Sequence, residues 1–205
     1  MLGFYNYTVY LTYIGLISSV VGMSFAFAGD VRTALLCLLI SGCCDMFDGK
    51  IARTKKDRTD EEKRFGIQID SLCDVVCFGV LPAVISFAAG ATKWWQVVIA
   101  AGFVLCGVIR LGYFNVMEET RQQKESTNRK TYMGLPITAS AIVVPLVMSF
   151  RRFMGGAVPY VFTVLLAALA VCYITPLNVK KPGLWGGIVM LDAGAAIFAI
   201  LVFLK

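Results

Sequence analysis

Histidine is absent from the 205-residue sequence. This absence excludes the Ser–His and Cys–His pairs that activate many enzymatic nucleophiles, and it removes the commonest metal-ligating side chain. The seven cysteines form no Cys-x-x-Cys motif and lie in apolar stretches, so we expect no zinc site and interpret them as packing residues. Acid–base chemistry in this chain therefore has to use carboxylates, lysines, tyrosines or cysteines.

Charged residues are also scarce. They make up 16% of the chain, whereas soluble domains carry about 25%. Hydrophobic residues reach 58%, and the mean hydropathy is +0.75. This composition excludes an ordinary soluble domain. It predicts an all-α polytopic membrane protein, with residues 1–205 forming a single integral-membrane domain.

The apolar stretches predict seven membrane segments. Their approximate bounds are 7–28, 32–50, 67–90, 94–115, 133–150, 155–175 and 185–204. Most of the 19 Lys and Arg residues fall on one side if the N-terminus is cytoplasmic. The net charge of +6 then belongs mainly to the cytoplasmic face, where it attracts anionic lipid. The basic residues are not interleaved with aromatic residues, so we expect no nucleic-acid partner.

Four aspartates stand in or beside apolar segments as two pairs. Asp45 and Asp48 are spaced i, i+3, and Asp70 and Asp74 are spaced i, i+4, so each pair shares one helix face. The pairs flank one charged stretch, residues 50–64. Two antiparallel helices joined by that stretch would bring all four carboxylates to one depth, just inside the cytoplasmic surface.

Such a cluster is costly in a membrane. An ionised aspartate near the centre of a membrane helix costs about 2.5–3.5 kcal/mol on insertion scales, and four carboxylates also repel one another. Protonation, or salt bridges with the loop's Lys and Arg residues, could offset this cost. A divalent cation is more economical, because four carboxylates supply hard oxygen ligands for one or two ions of Mg²⁺, Mn²⁺ or Ca²⁺. Asp192 stands alone in the last segment, and we assign it no role.

Small residues accompany the acidic pairs. Gly49, Ala52 and Gly66 each lie within four residues of an aspartate. They would let a bulky ligand approach the helix backbone, although ordinary close helix packing explains them equally well. Arg53 could pair with a phosphate group.

A family signature is recognisable at these residues. The chain reads Asp45-Met-Phe-Asp48-Gly49-Lys-Ile-Ala52-Arg53, and later Gly66-Ile-Gln-Ile-Asp70-Ser-Leu-Cys-Asp74. This resembles the CDP-alcohol phosphotransferase pattern D-x-x-D-G-x-x-A-R, a spacer, and G-x-x-x-D-x-x-x-D, with all eight fixed positions matched. The twelve-residue spacer between Arg53 and Gly66 is four residues longer than the family pattern. Four residues make roughly one helical turn, about 6 Å, so we expect the aspartates after the spacer to keep the same orientation towards those before it.

Later stretches resemble the phosphatidylserine synthase branch of that family. They are IDSLCDVVCFGVLPA at 69–83, RLGYFN at 110–115 and GLP at 134–136. The resemblance covers about residues 40–140. An Asn expected near Thr12 is not in place, so we assign no ligand contact there.

The resemblance implies a fold and an activity. The fold would be a six-helix core, with one extra C-terminal helix here, in a homodimer at the cell membrane with its active site at the cytoplasmic face. The activity would transfer a phosphatidyl group from CDP-diacylglycerol to L-serine and release CMP. Two divalent ions, Mg²⁺ or Mn²⁺, would assist, and Ca²⁺ could substitute or inhibit.

The resemblance also implies residue roles. Asp45, Asp48 and Asp70 would hold the first metal ion, whereas Asp74 would help to hold the second and would act as general base. Among the smaller motif positions, Gly49, Ala52 and Gly66 would make room for the nucleotide, and Arg53 would hold the diphosphate.

The carboxylate of serine needs a partner. Arg110 is our candidate, because it interrupts an apolar stretch near the cytoplasmic side, although a snorkelling arginine would look the same. Asn115 is a second candidate, and Arg129 or Lys130 could also serve.

Three other functions remain open at the level of sequence, and one of them is a non-catalytic membrane scaffold, although a scaffold does not need four convergent carboxylates. The other two are active proteins. One is a different CDP-alcohol phosphotransferase, acting on glycerol 3-phosphate, inositol phosphate or an archaeal CDP-lipid. The other is a divalent-metal or proton transporter that uses intramembrane carboxylates.

Overall fold

The computed structural model describes residues 3–4, 6–52, 54–55, 57–124, 131–176, 178–180 and 184–203. Its described part consists mainly of helices, which confirms the predicted all-α polytopic class. The elements, in chain order, are α1 (Tyr10–Phe27), α2 (Val31–Ala52), α3 (Asp60–Asp74), α4 (Leu81–Ala88), α5 (Trp94–Lys124), β1 (Thr131–Met133), α6 (Ser140–Ser149), α7 (Arg151–Met154), α8 (Val158–Ile174), β2 (Asn178–Lys180) and α9 (Leu184–Phe203).

Long apolar helical stretches dominate the described residues. Four of them are long and apolar enough to cross a membrane, and they are Tyr10–Phe27, Asp60–Ala88, Trp94–Glu119 and Arg151–Ile174. Shorter apolar helices cover Ile137–Ser149 and Asp192–Phe203. Helix α2 has 22 residues but carries both members of the first aspartate pair. The chain is therefore a polytopic membrane protein.

Helices α1 and α2 pack closely because α1 presents small residues at helical spacing. The buried residues of α1 are Thr12, Gly15, Ser19, Gly22 and Ala26. Ser41 of α2 donates to the carbonyl oxygen of Gly15 at 2.8 Å, and its hydroxyl lies 2.8 Å from that of Ser19. Small residues and interhelical hydrogen bonds are the usual means of helix association in lipid.

A π-helical segment, Val75–Val80, joins α3 to α4 in one continuous rod. Pro82 lacks a backbone N–H, so it cannot complete the α-helical hydrogen bond to the carbonyl of Phe78. The Ser140 hydroxyl of α6 donates to that carbonyl at 2.9 Å instead. The irregular segment begins directly after Asp74, and π-helical turns often lie at functional sites.

A short β-ribbon was not predicted from the sequence. Strands β1 and β2 pair antiparallel, with Tyr132 opposite Val179. Gly134 follows β1 with φ +80°, and a Cβ atom there would lie 3.2 Å from the carbonyl oxygen of Tyr173. This position therefore favours glycine, which gives the Gly134-Leu-Pro136 stretch a structural reason.

Several predicted boundaries were wrong. The third segment begins at Asp60 rather than near 67, and the fourth continues to Lys124 rather than ending near 115. Residues 118–124 are therefore helical, since Glu, Gln, Arg and Lys favour helix. Residues 125–130 lie outside the described residues, as do Arg129 and Lys130.

Candidate active site

The carboxylates of the two aspartate pairs converge. Asp45, Asp70 and Asp74 each offer an oxygen that lies within 4.8 Å of the oxygens of the other two. Asp48 lies within hydrogen-bonding reach of Asp70, as Asp45 does of Asp74. The structure thus brings together all four carboxylates that the sequence singled out.

A capping box at Thr59 determines where α3 begins. Thr59 caps α3, because its side chain accepts from the N–H of Glu62 at 3.2 Å while the Glu62 side chain accepts from the N–H of Thr59 at 3.0 Å. This capping box starts α3 at Asp60, so part of the longer spacer forms the first turn of α3. The extra length therefore leaves Asp70 and Asp74 facing α2.

The cluster is partly withdrawn from solvent. Asp48 is 8% exposed, and the other three aspartates are partly buried. The two ion pairs seen between described side chains are Lys55–Glu62 and Lys63–Asp60, and neither includes a member of the cluster. Four close carboxylates without such an ion pair favour a bound divalent cation, since burial of unpaired charge is costly. Oxygen-only donors of this kind suit Mg²⁺ or Mn²⁺.

Thr12 is a site residue that the sequence reasoning missed. Its hydroxyl donates to Oδ2 of Asp48 at 3.1 Å, and both residues are buried. The contact holds one carboxylate oxygen of Asp48 and leaves Oδ1 for other partners. The small-residue spacing of α1 could have revealed that Thr12 faces α2, but no sequence signal pointed to Asp48.

The small motif residues have different surroundings. Nothing lies within 4 Å of a Cβ atom placed at Gly49, so the space beside that residue is open. At Gly66 a Cβ atom would lie 2.6 Å from Nη2 of Arg58. Arg58 also donates to the carbonyl of Ala52 at 3.4 Å. Arg53 lies outside the described residues.

The two candidate serine contacts lie on α5. Asn115 accepts a hydrogen bond from the hydroxyl of Ser71 at 3.0 Å, which places its amide beside the residue that follows Asp70. Arg110 is 8% exposed, and its guanidinium carbon lies 4.6 Å from the ring centroid of Phe114. The burial of Arg110 differs from that of a snorkelling arginine, whose head group reaches water.

Comparison with known proteins identifies relatives of the chain. A CDP-diacylglycerol–serine O-phosphatidyltransferase of Saccharomyces cerevisiae is 37% identical over 124 residues, or 60% of this chain and 44% of the yeast protein. A protein of the same name from Helicobacter pylori is 32% identical over 169 residues, or 78% of this chain and 67% of that protein. An archaetidylserine synthase of Methanothermobacter thermautotrophicus is 33% identical over 117 residues, or 57% of this chain and 46% of that protein. The chain spans about half to two thirds of the length of these relatives.

The family match covers most of the chain. Residues 5–175 match the CDP-alcohol phosphatidyltransferase family, and this range contains the four converging aspartates. The chain therefore belongs to the CDP-alcohol phosphatidyltransferase family.

Proposed function

We propose that this protein transfers a phosphatidyl group from CDP-diacylglycerol to L-serine, yielding phosphatidylserine and CMP. The convergence of Asp45, Asp48, Asp70 and Asp74 at the family's motif positions carries the proposal. The names of the relatives support the acceptor. The yeast and Helicobacter proteins are named for serine, and so is the archaeal synthase.

Two divalent ions, Mg²⁺ or Mn²⁺, fit the donor set. Asp45, Asp48 and Asp70 would hold the first ion, and Asp74 would contribute to the second. When bound, such ions neutralise a diphosphate and stabilise the negative charge of a departing nucleotide. The hydrogen bond from Thr12 orients Asp48 for that task.

The chain's own groups supply the proton transfer. The serine hydroxyl oxygen attacks the phosphorus that carries the diacylglycerol, and the bond from that phosphorus to the CMP oxygen breaks. The proton of the hydroxyl passes to the Asp74 carboxylate, which acts as general base. We assign Gly49, Ala52 and Gly66 to the part of the site that binds the nucleotide. Arg53 would bind the diphosphate.

The acceptor would bind between α3 and α5. Asn115 accepts a hydrogen bond from Ser71, which places its amide beside the residue that follows Asp70. Arg110 is a buried cation on the same helix and would pair with the serine carboxylate. We further propose that the site lies at the cytoplasmic face of the cell membrane and opens towards lipid to admit the acyl chains. The chain would form one catalytic domain, and two copies would form a homodimer.

Acceptor specificity is the direct test. Purified protein in lipid nanodiscs receives CDP-diacylglycerol and Mg²⁺ or Mn²⁺, and CMP release is measured with serine, glycerol 3-phosphate, inositol or inositol phosphate. Release with serine alone would support the proposal. Metal-dependent release with another acceptor would reject serine but retain the family chemistry. Failure with all acceptors would contradict the proposed reaction, and metal-flux measurements would then test a transporter.

A further inference from the structure

Arg58 belongs to the spacer between Arg53 and Gly66, which is four residues longer than the family pattern. It lies between α2 and α3, two residues before α3 begins. Its side chain folds back against the signature rather than extending into solvent. The guanidinium reaches the carbonyl of Ala52 at 3.4 Å through Nη1 and the carbonyl of Glu62 at 3.2 Å through Nη2.

The guanidinium fills the space that Gly66 leaves. A Cβ atom on Gly66 would lie 2.6 Å from Nη2 of Arg58, closer than real Cβ contacts allow. Gly66 and Ala52 are two of the three positions that the family resemblance places beside the nucleotide, and Gly49 is the third. Arg58 therefore touches Gly66 and Ala52 from the loop side.

The hydrogen-bonding capacity of Arg58 is largely unused. A guanidinium has five N–H donors, and the two hydrogen bonds to carbonyl oxygens are long. Its Nε atom is buried and has no hydrogen-bond partner among the described residues. A buried donor without a partner is destabilising, so a ligand that accepts a hydrogen bond from this group would be stabilised.

The carboxylate of Glu62, the residue whose carbonyl Arg58 contacts, already has hydrogen-bond partners. Glu62 accepts from Nζ of Lys55 at 2.9 Å and from Nδ2 of Asn6 at 3.0 Å, in addition to its capping contact. Arg58 contacts only the backbone carbonyl of Glu62. Its positive charge therefore has no carboxylate partner among the described side chains.

We propose that Arg58 binds the diphosphate of the CDP-linked lipid substrate through two parallel hydrogen bonds. To do so, its guanidinium leaves the carbonyl oxygens of Ala52 and Glu62. The planar guanidinium matches phosphate oxygens in this bidentate way, whereas a lysine offers only a point charge. The move also clears the space beside Gly66 for the nucleotide. This inference rests on the proposed function, because it takes a CDP-linked lipid as the donor.

CDP is a suitable probe, because it carries the nucleotide and diphosphate without the acyl chains. Its dissociation constant would be measured by calorimetry with Mg²⁺ for the full chain in nanodiscs, comparing wild type, Arg58→Ala, Arg58→Lys and Arg64→Ala. Arg64 is an exposed arginine of α3 and serves as the matched control for lost charge. The KM values for CDP-diacylglycerol and serine, kcat and the melting temperature would be measured on the same samples.

We expect Arg58→Ala to raise the dissociation constant of CDP and the KM for CDP-diacylglycerol by about tenfold or more, the range of hydrogen bonds to charged groups. Arg58→Lys should show a smaller rise of both constants. The KM for serine should stay within about twofold, because the guanidinium does not touch the acceptor. Arg64→Ala should match wild type in all constants.

Two outcomes would overturn the inference alone. One is wild-type CDP affinity in Arg58→Ala, and the other is an equal loss in Arg64→Ala. If Arg58→Ala fails to fold, a folded Arg58→Lys protein decides, since wild-type affinity in that variant contradicts a bidentate contact. If wild type itself binds no CDP, the proposed function fails and the inference fails with it.

Discussion

Aspartates at the two ends of α2 have different surroundings. Asp30 precedes the helix, and its carboxylate accepts from the N–H of Thr33 at 3.0 Å and from the Thr33 hydroxyl at 2.5 Å. These hydrogen bonds, first from the hydroxyl and then from the N–H, hold the pKa of Asp30 below its ordinary value of 3.8. Asp30 is an N-cap whose charge is satisfied locally.

The aspartates near the other end of α2 have no such cap. Asp45 and Asp48 stand inside the helix, and their polar neighbours include the carboxylates of α3, although Asp48 also accepts hydrogen bonds from the Thr12 hydroxyl and the N–H of Gly49. A single aspartate with its own N–H donors is structural. Carboxylates that face one another repel, and this arrangement favours a bound cation.

The largest effect is expected from Asp74→Asn. Removal of the proposed general base should lower kcat by at least about 100-fold, within the range of general acid–base catalysis. Folding should be retained, because the substitution reduces repulsion within the cluster. CMP release with serine and CDP-diacylglycerol measures the change.

Asp30→Asn is the matched control for that substitution. It changes the same chemical group at the opposite end of α2 and should leave kcat within about twofold, since Asn is also a good N-cap. Equal losses in the two variants would show that the aspartates at the two ends of α2 do not differ in function.

Removal of divalent ions should affect the aspartate cluster near the C-terminal end of α2. Chelation of divalent ions should abolish turnover, and Mg²⁺ or Mn²⁺ should restore it. Bound ions should also raise the melting temperature of wild type by mass action. A scan of melting temperature against metal concentration measures this, with Asp45→Asn as the variant that should lose the response. A metal response that persists in Asp45→Asn would place the binding site elsewhere.

Thr12→Val should have an intermediate effect. It removes the hydrogen bond to Asp48 at nearly constant volume, and a hydrogen bond to a charged group contributes about 1.5–3 kcal/mol. We expect a higher metal concentration for half-maximal activity. Thr12→Ser keeps the hydroxyl and should restore the wild-type metal requirement; failure to do so would show that packing, rather than the hydrogen bond, matters.

The smallest effect is expected from Asp30→Ala. Loss of an N-cap costs about 0.5–2 kcal/mol of stability, with no change in kcat. Because the folded pKa of Asp30 is lowered, its charge stabilises the fold above the unfolded pKa, and this contribution disappears as pH falls through the folded pKa. The stability difference between wild type and Asp30→Ala should therefore shrink below about pH 4. Unfolding midpoints measured at neutral and acidic pH provide the test, and a difference that does not shrink would contradict a charged cap.

The parts of the site that could be predicted follow helical periodicity. The spacing of Asp45, Asp48, Asp70 and Asp74 fixes which faces they share, and the short connection fixes the antiparallel approach of α2 and α3. Periodicity carries no information on contacts from distant segments. The hydrogen bond from Thr12 and the fold-back of Arg58 depend on how α1 and the loop pack against that pair.

The fold was predictable to a similar extent. Apolar stretches located the membrane segments, because the hydrocarbon core demands apolar side chains. Hydropathy identifies only the apolar residues within the membrane, so it could not show that α3 begins at Asp60 or that α5 continues to Lys124. The β1–β2 ribbon joins segments far apart in sequence, and its three-residue strands are too short to leave an alternating pattern.

We expect the four carboxylates on α2 and α3 to act together as the ligands of the divalent cations. Titration of Mn²⁺ into wild type and single Asp→Asn variants, followed by electron paramagnetic resonance, tests it directly. Binding should be weakened by substitution of Asp45, Asp48, Asp70 or Asp74 and unchanged by substitution of Asp30. Wild-type Mn²⁺ affinity in all four cluster variants would contradict this expectation.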